Sequence, residues 1–265
     1  NVARSMRAVH SRLQPAPLFA GAATYSHFTW HMLTQGNEWD LHLSPTELKR
    51  GIREGPAAQA PRMKENFSVA SFGRAPYQGG TQPDAIEYLC SRAAAWDCPL
   101  GLRVRVEAFE SNPRSEDNAQ VLRRWQAARQ EGWLTERKRK KLRTLAQEHI
   151  LLTDEKGEFE LHPYERIAHV GRNDSGAVRA FVFSRDTRPH VVYWHTDGSC
   201  RLRLSLPPDG VRLWSEIGGR EIEVEKKGPG IVVPASGRRY LECTGVSRKE
   251  AVQAFRNCRV LPQAE

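Results

Sequence analysis

The chain lacks any apolar run approaching the roughly 18 to 20 residues that a membrane-spanning helix needs, and its mean hydropathy is -0.61. A soluble chain with no membrane contact is expected. Cysteine is scarce. Cys90, Cys98, Cys200, Cys243 and Cys258 make an odd count without a CxxC pair, which argues against a disulfide scaffold and offers no zinc spacing. Free thiols and a reducing compartment are expected, although Cys90 and Cys98 can meet if a turn intervenes. GxxxxGK, GxGxxG, GxSxG and HExxH are also missing, and these are the signatures of nucleotide hydrolysis, dinucleotide binding, serine esterases and zinc peptidases. No cofactor and no metal are expected. There is no internal repeat, and Asn1 in place of Met reads as a processed or truncated start.

What the chain does have is enough apolar mass for one large domain or two ordinary ones: 39% of its 265 residues are hydrophobic, including nine Phe and seven Trp. Its charge is uneven. Lys and Arg number 40 against 31 Asp and Glu, a net +9, and residues 1–150 hold 22 of the basic and 15 of the acidic side chains. Most of the excess therefore belongs to the first part.

Residues 1–155 read as alternating strands and helices, the pattern of an α/β layer architecture. Strands are expected over 18–25, 67–73 and 100–106. Helices are expected over 4–13, after the capping box Ser44-Pro45-Thr46-Glu47, and from Pro83 with Ile86, Leu89, Ala93 and Trp96 on one face. Two more are expected around Val121, Trp125 and Ala128 and around Leu142, Leu145, Ala146, His149 and Ile150. From about Leu151 the period changes to two, with turn signals every eight to twelve residues. Residues 156–265 therefore read as an antiparallel β-sandwich. Its turns are expected at Asp197-Gly198, Pro208-Asp209-Gly210, Gly218-Gly219 and Ser236-Gly237, where glycine accepts positive φ. A last helix opens at the capping box Ser247-Arg248-Lys249-Glu250.

The densest set of chemistry-bearing side chains follows the first expected strand: Tyr25, His27, Trp30 and His31, then Glu38, Trp39 and Asp40. Strand C-termini of α/β folds open onto a common face where loops build active sites. Trp faces suit pyranose rings, and Asp, Glu and His exchange hydrogen bonds with hydroxyls. Glu38 and Asp40 fit the acid and base of glycoside cleavage. Asn66, Arg74 and Tyr77 flank the second strand and reach the same rim if the two strands are parallel neighbours, Arg74 being suited to a carboxylate, sulfate or sugar hydroxyl. The plainer alternative makes these aromatics core, the histidines hydrogen-bonded packers and the acids loop caps.

Residues 137–143 hold six basic side chains in seven positions. A polyanion is one reading. Yet no aromatic is interleaved for base stacking and no nucleic-acid-binding signature accompanies the run, so a solvated helix face is preferred to nucleic acid. Trp194-His195 with Asp197 is explained by a strand end and its turn.

The stretch 84–97, DAIEYLCSRAAAWD, looks like a final barrel helix, and the block from Val191-Val192-Tyr193-Trp194-His195 through Arg239-Tyr240-Leu241-Glu242 is similar to an accessory sandwich. Together they resemble the end of an α-L-fucosidase-like glycoside hydrolase: the last units of a (β/α)8 barrel, then a C-terminal β-sandwich. A whole barrel takes about 250 residues. The resemblance therefore implies a hydrolase fragment whose remaining strands lie upstream of Asn1, acting on a carbohydrate substrate, with Glu38 or Asp40 as its surviving catalytic groups. A non-catalytic carbohydrate-binding or structural module and a polyanion-binding protein are the alternatives. The sequence carries no sign of oligomeric state.

Overall fold

The computed structural model describes residues 8, 12, 49, 74–97, 100–144, 146–172, 176–217 and 219–262. The strands expected over 18–25 and 67–73 and the helix expected after Ser44 fall largely or wholly outside them. The described part opens with a parallel unit: β1 (Arg74–Pro76), α1 (Pro83–Ala95) and β2 (Gly101–Arg103), with Arg74, Ala75 and Pro76 opposite Gly101, Leu102 and Arg103. Parallel neighbours need a crossover, and α1 supplies it. Pro83 stands in the first turn of α1, where its missing N–H is no loss. Beyond the C-cap Trp96, Asp97 adopts φ 55, the left-handed residue that stops the helix. The strand expected over 100–106 is shorter than its pattern, because Val106 opens α2 (Val106–Glu110); α3 (Ser115–Gln130) and α4 (Glu136–Leu142) follow.

The expectation of one apolar face on α1 is corrected: every residue of this helix is buried. A helix buried all round is normally apolar all round, and this one is not. Asp84, Glu87, Ser91 and Arg92 instead find internal partners, although Arg92 Nε is left without one. Arg92 donates to the carbonyls of Leu142, Thr144 and Gln147, closing off the end of α4 and the turn after it. Ser91 donates back to the Tyr88 carbonyl at 2.8 Å.

The helix expected through His149 and Ile150 is a strand. α4 ends at Leu142, and β3 (Glu148–Thr153) carries the fully buried run Ile150-Leu151-Leu152. Apolar residues on consecutive positions suit a strand covered on both faces, which periodicity alone does not distinguish from a helix. β3 is the edge of a seven-stranded antiparallel sheet that continues with β4 (Phe159–Arg166), β5 (Val178–Arg185), β6 (Arg188–His195), β12 (Arg239–Cys243), β8 (Val211–Trp214) and β9 (Glu221–Ile222). A second antiparallel sheet runs β10 (Glu225–Lys227), β11 (Gly230–Ala235), β7 (Cys200–Leu204), β13 (Arg259–Leu261). The stretch 220–225 is divided between the two sheets, β9 belonging to the large one and β10 to the small one. β4 and β13 had no counterpart in the sequence reading.

Alternation assigns the faces. Val182, Val191, Tyr193, Leu213 and Leu241 of the large sheet share a core with Leu202, Leu204, Ile231 and Val233 of the small one. The opposite face carries Ile150, Tyr164, Phe181, Phe183, Val192, Trp194 and Tyr240, with Phe181 stacked on both Tyr164 and Trp194. α1 packs on this side, where Trp194 donates to Gln82 and Arg238 meets Glu87. The large sheet is the middle of three layers. α5 (Arg248–Arg256) begins with the expected capping box: Ser247 accepts from the Glu250 N–H, and Glu250 accepts from the Ser247 N–H.

The turn chemistry departs from expectation. The positive-φ glycines are at 132, 157, 171, 176, 228 and 245, not at the described glycines of the expected turns. Gly210 is required for another reason, since a Cβ there would lie 2.5 Å from the Thr244 carbonyl oxygen. The tight β5–β6 hairpin turns through Asp186 (φ 48) and Thr187 (φ 65), a type I′ pattern without glycine.

Candidate substrate rim at the parallel strand ends

β1 and β2 run side by side, so the segments that follow them, 77–82 and 104–114, leave from the same end. The Tyr77 N–H donates to the Arg103 carbonyl at 3.0 Å and carries the pairing one residue further. A buried polar cluster then locks the two segments together. The Tyr77 oxygen accepts from Asn112 Nδ2 at 3.1 Å and Asn118 Nδ2 at 2.9 Å. Ser115 Oγ gives its one proton to the Phe109 carbonyl at 2.5 Å, so the 2.8 Å contact between Tyr77 and Ser115 has the phenol as donor. Both amides also donate to the Thr81 carbonyl. Tyr77, expected to reach outward to a ligand, is only 5% exposed with its hydroxyl fully engaged. It shapes the rim from beneath.

Gln78, Gly79 and Gly80 are exposed above it, as is Arg103. Position 74 pairs with Gly101, so positions 74 and 103 fall on the same face of the two-stranded pair. Alternation through 106 does not mark Arg103 as a strand end, and the structure places it there. Val104, Val106 and Phe109 are exposed apolar side chains on the neighbouring segment, and the Phe109 ring lies 5.9 Å from that of Tyr77.

The β layer reaches this rim through Gln82. Its Nε2 donates to the Thr196 carbonyl at 3.0 Å and the Gly80 carbonyl at 3.2 Å, while its Oε1 accepts from Trp194 Nε1 at 2.9 Å. Beside it, His195 Nδ1 lies 2.8 Å from the Gly198 N–H, 3.3 Å from the Asp197 N–H and 3.2 Å from the Asp197 carboxylate. Asp117, in the first turn of α3, lies 3.5 Å from Arg114 and accepts from the Arg238 N–H at 3.2 Å. These contacts tie 77–82, the start of α3 and two β turns into one polar junction.

Two buried carboxylates belong to the helix rather than to the rim. Burial alone would raise the Asp84 carboxyl, but Lys49 at 3.0 Å and Arg179 at 2.7 Å hold it at about 2. Glu87 Oε1 accepts from Trp125 Nε1 at 2.7 Å and from the Leu151 N–H at 2.9 Å. Both acids have internal partners and hold layers together.

Part of the basic run is engaged inside the molecule. Lys138 donates to the Trp133 carbonyl at 2.9 Å and lies 3.3 Å from that ring's centre. Arg139 is 3.0 Å from Asp97. Arg143 meets Glu136 at 2.8 Å and the Ala95 carbonyl at 2.9 Å, above the Trp96 ring. A cavity of about 840 Å³ lies between α1, β2 and α3, floored by Leu100, Leu102 and Leu122 with Asp97 and Arg129 also in its lining. Asp97 and Leu100 precede β2, so this cavity reaches the end of the strand opposite the rim.

Among the described residues no group of three His, Cys, Asp or Glu could hold a metal ion, and no helix is long and apolar enough to cross a membrane. Glu38, Asp40, Tyr25, His27, Trp30, His31, Trp39 and Asn66 lie outside the described residues; of Arg74 only the backbone is described. No protein-family model matches the chain, and no curated protein matches it. Among solved structures it is similar to a family 39 glycoside hydrolase from the gut symbiont Bacteroides cellulosilyticus WH2, at 13% identity and a TM-score of 0.29 over 71% of this chain and 37% of that one. It is also similar to an Anoxybacillus alpha-amylase, at 10% identity and 0.30 over 92% and 56%, and to an alpha-amylase from H. orenii, at 11% and 0.32 over 91% and 56%. The chain spans between 37% and 56% of the length of these three neighbours.

Proposed function

We propose that this chain is part of a carbohydrate-active enzyme, a glycoside hydrolase in which residues 1–155 supply the last strand-helix units of a (β/α)8 barrel and residues 156–265 a C-terminal β-sandwich, in the α-L-fucosidase-like order. The observation that carries this reading is the parallel β1–α1–β2 unit, whose strand ends open beside the His195–Asp197 turn of the β layer. Substrate loops of α/β enzymes leave from that end of the strands.

In this reading Glu38 and Asp40 share the acid and base work of glycosidic cleavage. Tyr25, His27, Trp30, His31, Trp39 and Asn66 contact the sugar, with Arg74 and Arg103 adding charged donors from the strand ends. Tyr77 holds the loop that carries Gln78 to Gly80. The test is release of reducing ends from a panel of neutral and acidic glycans by the longest native protein, compared with its Glu38→Gln and Asp40→Asn variants. Loss of turnover by 100-fold or more in either variant supports the assignment. Unchanged turnover removes both acids, and binding without turnover makes the protein a non-catalytic carbohydrate-binding module.

A further inference from the structure

The four-stranded sheet presents its outer face away from the shared core. Along β7, Cys200, Leu202 and Leu204 point into that core and Arg201 and Arg203 point out. The register places Arg203 directly opposite Arg259 of β13 on one side and Val232 of β11 on the other, with Val232 opposite Glu225 of β10. Glu225 is the one acid in this row. It is drawn to Arg201 at 3.6 Å and Lys227 at 4.0 Å. Among the described residues Arg203 and Arg259 have no acidic partner, and both are exposed.

Like charges directly opposite one another on a sheet destabilise it. Charged residues on edge strands do have a protective use, because they block pairing with other chains. That explains Arg259 on the edge strand β13. It does not explain Arg203, which sits on an inner strand and projects from the face. Among the described residues these two guanidinium groups stand side by side without an acidic partner and form a receiver for paired anions.

We propose that this face binds an anionic polysaccharide bearing a carboxylate on successive sugars, with Arg203 and Arg259 each taking one carboxylate. The choice of a glycan rests on the carbohydrate reading above. Among the described residues the cations of this face that lack an acidic partner are both arginine, whose planar fork takes a carboxylate through two parallel hydrogen bonds and takes phosphate in the same way, so carboxylate is the commitment that the heparin and duplex DNA arms test. Neighbouring strands are about 4.8 Å apart, which sets the two forks at a short, regular spacing. The strands of this sheet contain no aromatic side chain, so the base stacking that single-stranded nucleic acid uses has no platform.

The experiment is affinity electrophoresis of the whole chain in gels containing polygalacturonate, with amylose, heparin and duplex DNA as separate arms. The proteins are wild type, Arg203→Ala/Arg259→Ala and Arg203→Lys/Arg259→Lys. Polygalacturonate should retard the wild type and amylose should not. The double alanine variant should bind polygalacturonate at least 10-fold more weakly with its Tm unchanged or raised, because a repulsive pair has gone. The lysine variant should fall between the two, keeping the charge and losing the fork. The idea is overturned if polygalacturonate does not retard the wild type, if the alanine variant binds equally well, or if lysine fully replaces arginine. Equal or stronger binding of heparin or duplex DNA also overturns it in favour of a general polyanion surface. Polygalacturonate retention with no turnover of any glycan keeps this surface and removes the hydrolase reading, so the two fail separately.

Discussion

Glu87 and Arg238 stand 151 positions apart in the chain and meet at 3.2 Å between α1 and the large sheet, with neither side chain more than 4% exposed. Arg238 lies over the edge of the aromatic face, its guanidinium 5.6 Å from the Tyr240 ring and 5.9 Å from that of Trp194. Glu87 simultaneously holds Trp125 of α3 and the backbone of β3. Two side chains thus connect four elements. Removing one partner of a buried pair leaves an uncompensated charge and destabilises by about 3 to 5 kcal/mol. Glu87→Ala and Arg238→Ala should each lose that much in urea unfolding, while Glu87→Ala/Arg238→Ala should lose less than the sum of the singles. Additive losses would show that the pair is not coupled.

Acid should loosen the molecule in two steps. His149 is buried beside Arg92 and Lys141, and burial first, then these cations, lowers its imidazole to about 4. The unfolded chain takes up that proton more readily, so stability is complete above about pH 6.5 and declines as the pH falls toward 4. Asp84 has a depressed carboxyl at about 2. Its contribution is present above about pH 4 and is lost between there and pH 2. His149→Gln should flatten the upper step and Asp84→Asn the lower one in Tm measured against pH.

The β5–β6 hairpin turns through two non-glycine residues at positive φ, and the second, Thr187, is β-branched. Replacing Asp186-Thr187 with Asn-Gly supplies the pair that a type I′ turn favours. The double variant should gain about 1 kcal/mol in stability. A loss on denaturant unfolding would show that the Thr187 hydroxyl, which donates to the Asp186 carbonyl at 2.5 Å, outweighs the strain.

Cys90, Cys200, Cys243 and Cys258 are free and buried. Burial pushes the Cys243 and Cys258 thiols up to about 12, helped respectively by Glu242 and Cys200. Thiolates are the reactive species, so these groups should resist a thiol reagent in the native protein at pH 8 and react on unfolding. Rapid native labelling at any of the four, located by mass spectrometry, would contradict the burial.

Tyr77→Phe deletes the oxygen on which Asn112, Asn118 and Ser115 converge. An unsatisfied buried donor costs about 1 to 3 kcal/mol. The variant should lose that range in stability and, under the proposed function, weaken glycan turnover through the displaced 77–82 segment without touching substrate itself.

The sheets were largely legible in the sequence because their strands alternate cleanly. Cys200-Arg201-Leu202-Arg203-Leu204 reports both its conformation and its faces. The capping box at Ser247 and the helix start at Pro83 were legible for the same local reason. β3 was not: Ile150-Leu151-Leu152 is apolar at every position, and only its partner strands decide that it is extended. The burial of α1 was hidden because Asp84, Glu87 and Arg92 look like solvent-facing residues until Lys49, Arg179, Arg238 and Trp125 arrive from distant parts of the chain. Tyr77 misled in the opposite sense. A tyrosine after a strand reads as a ligand contact, and its three amide and hydroxyl partners come from 35 to 41 residues downstream.

The large sheet being covered on both faces bears on how this molecule can be cut and moved. An excised β region beginning at β3 would bare Phe181, Phe183, Trp194 and Tyr240 and orphan Arg238 from its carboxylate. A transplantable cassette therefore has to start before Gln82 and carry α1 and α3 with it. In modular terms, the heritable unit is the sheet together with its helical cover, and the rim at the end of β1 travels with both.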